Sequence, residues 1–175
     1  KHRWSYAASK LVDEFLALAY FRTYNLKINI CRFFNVTGPN QSGEYGMVVP
    51  RFIDKALTNE TLPVHGDGTQ TRTFTYIDDV VTAVVDMIDN DNCVGEIMNI
   101  GGEQEISIKE LAEKIISLTG SKSRIEFIPY EDVYGKNFDD MKRRVPSLEK
   151  VNKLINYKPK YDLEKSLLEI IKVKK

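Results

Sequence analysis

The sequence predicts an α/β fold with mixed strand pairing, and three observations predict it. Helical and strand-like apolar patterns alternate along the 175 residues. A short β-branched run, Lys27 to Phe34 (KINICRFF), follows a long helical stripe. Glycine, proline and Ser/Asp signals then punctuate the remaining segments.

In chain order, Leu11, Phe15, Leu18 and Ala19 recur at helical spacing after Tyr6, predicting a helix to about Tyr24 that Asn25 stops. Lys27 to Phe34 has the composition of a buried parallel strand. It ends in a loop, Asn35 to Gly46, rich in Asn, Gly, Pro and Gln, where doubly wound sheets place ligands. Pro50 marks a helix start, with Phe52, Ile53, Ala56 and Leu57 on its apolar positions. Leu62 to His65 is a short strand, Gly66 to Gly68 a turn, and Arg72 to Tyr76 a second strand. Asp78 or Asp79 caps an apolar helix to about Ile88, and Glu96 to Ile100 is another buried strand. Ser107 and Glu110 form a capping box for a helix that Gly120 ends. A strand at Arg124 to Ile128, a polar loop and two helices complete the chain, with Ser147 and Asp162 as N-caps.

Composition narrows function. With 25 basic and 25 acidic residues, no global field points to nucleic acid or an anionic membrane, so an anionic ligand requires local arginines. No apolar run approaches the ~20 residues of a membrane span. Cys31 and Cys93 lack the density of a disulfide framework and suit a reduced, cytoplasmic setting. His2 and His65, far apart, leave too few parts for a metal site or a Ser/His triad.

Tyr6 and Lys10 share a helix face, where an ammonium favours ionisation of a phenol and so suits acid/base work. Spacing alone is weak, since Tyr161 and Lys165 repeat it. Ala7, Ala8 and Ser9 leave the first pair open to a flat ligand, whereas Asp162 and Glu164 crowd the second, which reads as scaffolding. Arg72 offers a planar fork for phosphate, against the plainer reading of a cross-strand ion pair. Asn35 is either a ligand or a loop-forming amide. Phe33 and Phe34 point to opposite faces of a strand, and at least one belongs in the core.

Five ordered motifs then carry a resemblance: YAASK from Tyr6, RFFNVTGP at Arg32 to Pro39, GDGTQTRTFTYIDDV at Gly66 to Val80, NIGG at Asn99 to Gly102, and RRVP at Arg143 to Pro146. The chain resembles the second half of NAD-dependent nucleotide-sugar epimerases and dehydratases, extended short-chain dehydrogenase/reductases that include UDP-glucose 4-epimerases, dTDP-glucose 4,6-dehydratases and UDP-glucuronate decarboxylases. The resemblance implies the C-terminal part of a Rossmann-like doubly wound sheet plus a small α/β substrate-binding domain. Residues 1–46 would be the remainder of the NAD-binding domain and 47–175 mainly the nucleotide-sugar domain, with 66–100 partly returning to the Rossmann sheet.

The resemblance also implies roles. Tyr6 and Lys10 would be catalytic and hold NAD with Phe33 and Val36. Asn35, Val48, Val49, Phe52, Arg72, Asp140 and Arg144 would bind a UDP-sugar or dTDP-sugar, with Met47 and Arg143 nearby. NAD-dependent 4-epimerisation of a UDP-sugar through a 4-keto intermediate is the leading expectation, with 4,6-dehydration or UDP-glucuronate decarboxylation as alternatives. Relatives commonly form homodimers. No glycine-rich dinucleotide turn occurs, so the pyrophosphate loop and the Ser/Thr of the catalytic set are expected in a missing N-terminal half, without which this chain is expected to be inactive. A non-catalytic sugar-nucleotide-binding module and a reductase acting on other substrates are the competing readings.

Overall fold

The computed structural model describes residues 3–43, 47–136 and 140–175; His2, the end of the first expected loop (Glu44 to Gly46) and residues 137–139 lie outside the described residues. Helix α1 spans Arg3–Tyr24 and ends where Asn25 takes a left-handed φ of 53°, a conformation asparagine tolerates. Strands β1 (Ile30–Phe33) and β2 (Val36–Thr37) follow, broken by Asn35 at φ 41°. Helix α2 is Val48–Leu57, with Val49, Phe52, Ile53 and Ala56 on its buried stripe. β3 (Leu62–His65) leads through the Gly66–Gly68 turn to β4 (Thr71–Thr73) and β5 (Thr75–Tyr76), and α3 (Ile77–Ile88) follows directly. After a 3-10 turn at Asp91–Cys93 come β6 (Ile97–Ile100), β7 (Glu105–Ser107), α4 (Ile108–Thr119) and β8 (Ile125–Ile128). The last elements are α5 (Tyr130–Tyr134), β9 (Arg143–Arg144), α6 (Glu149–Ile155) and α7 (Leu163–Lys174).

Four local expectations need correction. β1 is not a buried strand: Arg32 and Phe33 are exposed, because among the described residues only β6 pairs with it, in parallel, with Ile30 opposite Ile97. The expected Arg72–Tyr76 strand splits at Phe74 into segments serving different sheets. β5 pairs in parallel with β2, whereas β4 lies between antiparallel β7 and parallel β9. Neither Asp78 nor Asp79 caps α3, whose N-cap is Tyr76 without a side-chain bond. Asp79 instead accepts from the backbone N–H groups of Lys160 (2.9 Å) and Tyr161 (3.1 Å), tying α3 to the segment before α7. Ser147 is not an N-cap either; α6 begins after Leu148, and the Ser147 carbonyl accepts from Asn99.

Other signals hold. The Ser107/Glu110 capping box is complete, Gly120 closes α4 at φ 66°, and Asp162 accepts from the Lys165 N–H. Tyr161 stacks on Tyr76 with centroids 4.2 Å apart, and Lys165 lies over its ring at 4.0 Å, so this pair is packed scaffolding.

Two buried clusters result. One joins α2, β3, α4 and α7 through Phe52, Leu62, Leu111 and Leu167; the other joins α3, β6 and α6 through Ala83, Met98 and Val151. Neither includes a residue of α1, whose Leu11, Val12, Phe15 and Leu16 are exposed. No described helix is long and apolar enough to cross a membrane. Asp79 is almost wholly buried, so Asp79→Ala should lower the unfolding free energy by about 2–4 kcal/mol, as two backbone donors lose a charged acceptor. Ser107→Ala, at an exposed cap, should cost only about 1 kcal/mol. Urea unfolding of the two variants checks the order.

Candidate active site cleft

Where β1 gives way to β2, Asn35 turns the chain into a cleft of about 270 Å³. The left-handed turn aims three polar groups at three neighbours. The Asn35 carbonyl accepts from Thr75 N (3.2 Å), its Nδ2 donates to the Thr73 carbonyl (2.6 Å), and its Oδ1 accepts from Arg144. The amide is thus a junction of β1, β4, β5 and β9 as well as part of the cleft wall.

β4 and β9 place Arg72 opposite Arg144. Two guanidinium groups side by side repel, and the structure offsets this with Asp140 and the Asn35 amide. Arg72 is only 7% exposed; its Nη1 donates to the Thr71 carbonyl (2.7 Å) and its Nη2 to Asp140 Oδ1 (3.1 Å). Tyr130 donates to the other Asp140 oxygen at 3.2 Å. Burial, with the Asp140 charge beside it, pushes the Tyr130 phenol up to about 12, so it stays a donor at neutral pH. Arg143 turns away, forked onto Glu105 at the surface. It does not border the cleft.

The sequence-predicted residues Asn35, Val36, Val48, Val49, Phe52, Arg72, Asp140 and Arg144 all line this one cleft, and Met47 joins them. Val49 and Phe52 do so as core residues, their side chains almost wholly buried in the floor. Tyr6, Lys10 and Phe33 do not line it. Tyr6 is 70% exposed and Phe33 53%, on α1 and at the end of β1. Tyr6 and Lys10 do share a face, with Lys10 Nζ 5.9 Å from the phenol ring centroid. Its ammonium bonds Asp13 at 2.9 Å, which holds it above the ordinary lysine value.

Arg51, His65, Gln70, Tyr130 and Tyr134 are among the further lining residues, and the sequence reading missed them. Arg51 lies on the same helix as Val48 and Phe52, one signal that could have found it. His65 ends the correctly placed β3, so its inward position was readable from strand alternation. The tyrosines sit on a helix of five residues, too short to leave a periodic pattern. The positive φ of Gly66 (72°) is matched by close approach, since a Cβ there would collide with the Tyr130 ring.

Arg51 Nη2 lies 3.3 Å from His65 Nε2, and His65 Nδ1 lies 3.0 Å from the Tyr134 hydroxyl. Since arginine can only donate, Nε2 must accept, which fixes a neutral imidazole with its proton on Nδ1, donated to Tyr134. Burial first, and the Arg51 charge second, hold His65 below the ordinary imidazole value.

Comparisons with known proteins bear on the family and the fold. A sequence profile described as the NAD dependent epimerase/dehydratase family matches residues 1–101. The chain is 42% identical over 172 residues to the UDP-N-acetyl-alpha-D-glucosaminuronate decarboxylase of Bacillus cytotoxicus, covering 98% of this chain and 53% of that protein. It is 34% identical to UDP-glucuronic acid decarboxylase 1 of Danio rerio, covering 97% of this chain and 38% of that one. Among solved structures, UDP-glucuronic acid 4-epimerase from Bacillus cereus, in complex with UDP-glucuronic acid and NAD, superposes with a TM-score of 0.84 at 31% identity, over 95% of this chain and 52% of that one. The chain therefore spans about half the length of the solved structure and of the bacterial decarboxylase.

His65 predicts a pH effect. The unfolded chain takes up this proton near pH 6.5, the folded chain only at lower pH. The unfolded state thus binds more protons below that point, and stability falls as pH drops through and below 6.5. Thermal midpoints between pH 7.5 and 5.5 should fall less in His65→Asn than in the parent protein; equal slopes would contradict the neutral assignment.

Proposed function

The chain belongs to the NAD dependent epimerase/dehydratase family, and we propose that it forms the nucleotide-sugar-binding portion of an enzyme that oxidises C4 of a UDP-sugar, or of its dTDP counterpart, with NAD. One observation carries this reading: residues named from separate sequence motifs, Asn35, Arg72 and Arg144, converge on a single cleft together with Asp140. Among the described residues of its wall, Arg72, Arg144 and Arg51 outnumber the Asp140 carboxylate, which suits a diphosphate within a chain of zero net charge. Met47, Val48, Val49 and Phe52 offer the apolar side to a nucleobase.

Residues 1–46 would belong to the NAD-binding domain and 47–175 mainly to the sugar-nucleotide domain. The pairing of β5 with β2 and of β6 with β1 supports a return of 66–100 to the first sheet. The residues fit the nicotinamide end of the cofactor: Phe33 exposes a flat ring, Val36 borders the cleft, and Lys10 presents an exposed ammonium paired with the exposed Asp13 carboxylate. NAD supplies, when bound, acceptance of the C4 hydride. Tyr6 removes the proton of the C4 hydroxyl, and Lys10 holds the nicotinamide ribose and keeps a positive charge one helical turn from the phenol. The pyrophosphate loop and the Ser/Thr partner fall to an N-terminal half of the same polypeptide.

The outcome best supported is decarboxylation of a UDP-uronic acid, because the curated relative at 42% identity carries that activity in its name. The 4-epimerisation that led the sequence reading is the second, favoured by the likeness to the UDP-glucuronic acid 4-epimerase. UDP-glucose 4-epimerase from Thermotoga maritima, at 26% identity, gives the uncharged sugar less support. A homodimer is proposed from the exposed apolar face of α1, and a cytoplasmic setting from the free thiols Cys31 and Cys93.

Product analysis of the full-length protein on a panel of UDP- and dTDP-sugars tests the reading. A UDP-pentose from UDP-glucuronate, or its N-acetylated equivalent, supports decarboxylation; UDP-galacturonate supports epimerisation; no turnover of any member overturns both. Tyr6→Phe should lower kcat by about 10²–10⁴-fold with UDP affinity retained. Arg72→Ala should weaken UDP binding by about 1.5–3 kcal/mol, the worth of a charged hydrogen bond, measured by titration calorimetry. Unchanged affinity in a folded Arg72→Ala protein would remove the diphosphate assignment.

A further inference from the structure

Helix α1 stands outside both buried clusters, yet it carries the phenol on which the proposed chemistry depends. At ~1.5 Å per residue, its 22 residues make a long lever, so a small tilt displaces one end well beyond the tolerance of a reacting geometry. A fork-shaped bond joins this lever to the sheet. Arg32 Nε donates to Glu14 Oε1 and Arg32 Nη2 to Glu14 Oε2, both at 2.6 Å.

Two features separate this pair from an ordinary surface contact. Both bonds are short and parallel, the geometry in which arginine holds a carboxylate in direction as well as distance. The Glu14 side chain is only 14% exposed on a helix whose neighbouring side chains are mostly open, and Arg32 holds its carboxyl below the usual range. Placement matters as much. Glu14 lies one turn beyond Lys10 and two beyond Tyr6 on roughly the same side of α1. Arg32 lies in β1, three residues before the Asn35 junction that opens the cleft. Asp13, not Glu14, takes the Lys10 ammonium, so Glu14 is free to act on the strand.

We propose that Glu14 and Arg32 are positioning residues, a clamp that fixes the Tyr6–Lys10 face of α1 relative to β1, the strand that leads into the cleft, and so sets the rate of proton removal rather than nucleotide affinity. The inference rests on the reading of Tyr6 as the proton acceptor. A purely architectural role would instead move stability and affinity together.

The test uses the full-length protein with Glu14→Gln, Arg32→Lys, Tyr6→Phe and the reversed pair Glu14→Arg/Arg32→Glu. Glu14→Gln is expected to lower kcat by about 10–100-fold, the effect of a roughly 1 Å misplacement. KM and the UDP dissociation constant should stay close to those of the parent. The reversed pair should recover most of the lost kcat, and hydrogen exchange of the α1 amides around Glu14 should quicken in Glu14→Gln and return in the reversed pair. Arg32→Lys keeps the charge but loses the fork, and should show the same split in milder form, which serves if Glu14→Gln does not fold. Parent-like kcat in folded Glu14→Gln beside an inactive Tyr6→Phe overturns the clamp alone, as does an equal loss of kcat and UDP affinity. Parent-like turnover by Tyr6→Phe overturns the acid/base reading and the clamp with it.

Discussion

The left-handed turn at Asn35 is the constraint on which the cleft depends. Asparagine combines what this position demands: tolerance of φ 41°, a donor for the Thr73 carbonyl and an acceptor for Arg144. Glycine would accept the backbone but supply neither bond, and aspartate would lose the donor. Through this one side chain and its carbonyl, the end of β1 is fastened to β4, β5 and β9, which carry the cleft's cationic wall.

That wall shows how a chain of no net charge can present a local anion site. Arg72 and Arg144 face each other across β4 and β9, and bringing them together costs Coulomb energy that Asp140 and the Asn35 amide offset without cancelling the excess positive charge. Arg72 is nearly sealed from water, where such charges are weakly screened. Tyr130 buttresses the same carboxylate, and the lack of a side chain at Gly66 lets its ring approach. The electrostatics therefore belong to a framework of β4, β9 and α5, not to any single arginine.

Much of this was legible because local chemistry and tertiary structure agree. The Ser107/Glu110 box, Gly120, Asp162 and the β3 strand use signals confined to a few residues. Failures arose where a distant partner decided the outcome. Asp79 looked like a cap but serves Lys160 and Tyr161, far along the chain. Phe74 interrupts an apparently continuous strand because Thr75 must bond Asn35 and Thr73 must face β7. Apolar composition suggested a buried β1, but burial depends on what pairs beside a strand, which composition does not encode. The site's motif residues were readable, whereas Tyr130 and Tyr134 belong to a helix that forms only with tertiary support.

The position of α7 carries a consequence for how the site is made. Leu163, Leu167, Ile170 and Ile171 share a core with Val49 and Phe52, which form the cleft floor more than a hundred residues earlier in the chain. On the ribosome, the floor cannot reach its final packing until α7 has cleared the exit tunnel. Ligand capacity in a nascent chain should therefore wait for α7.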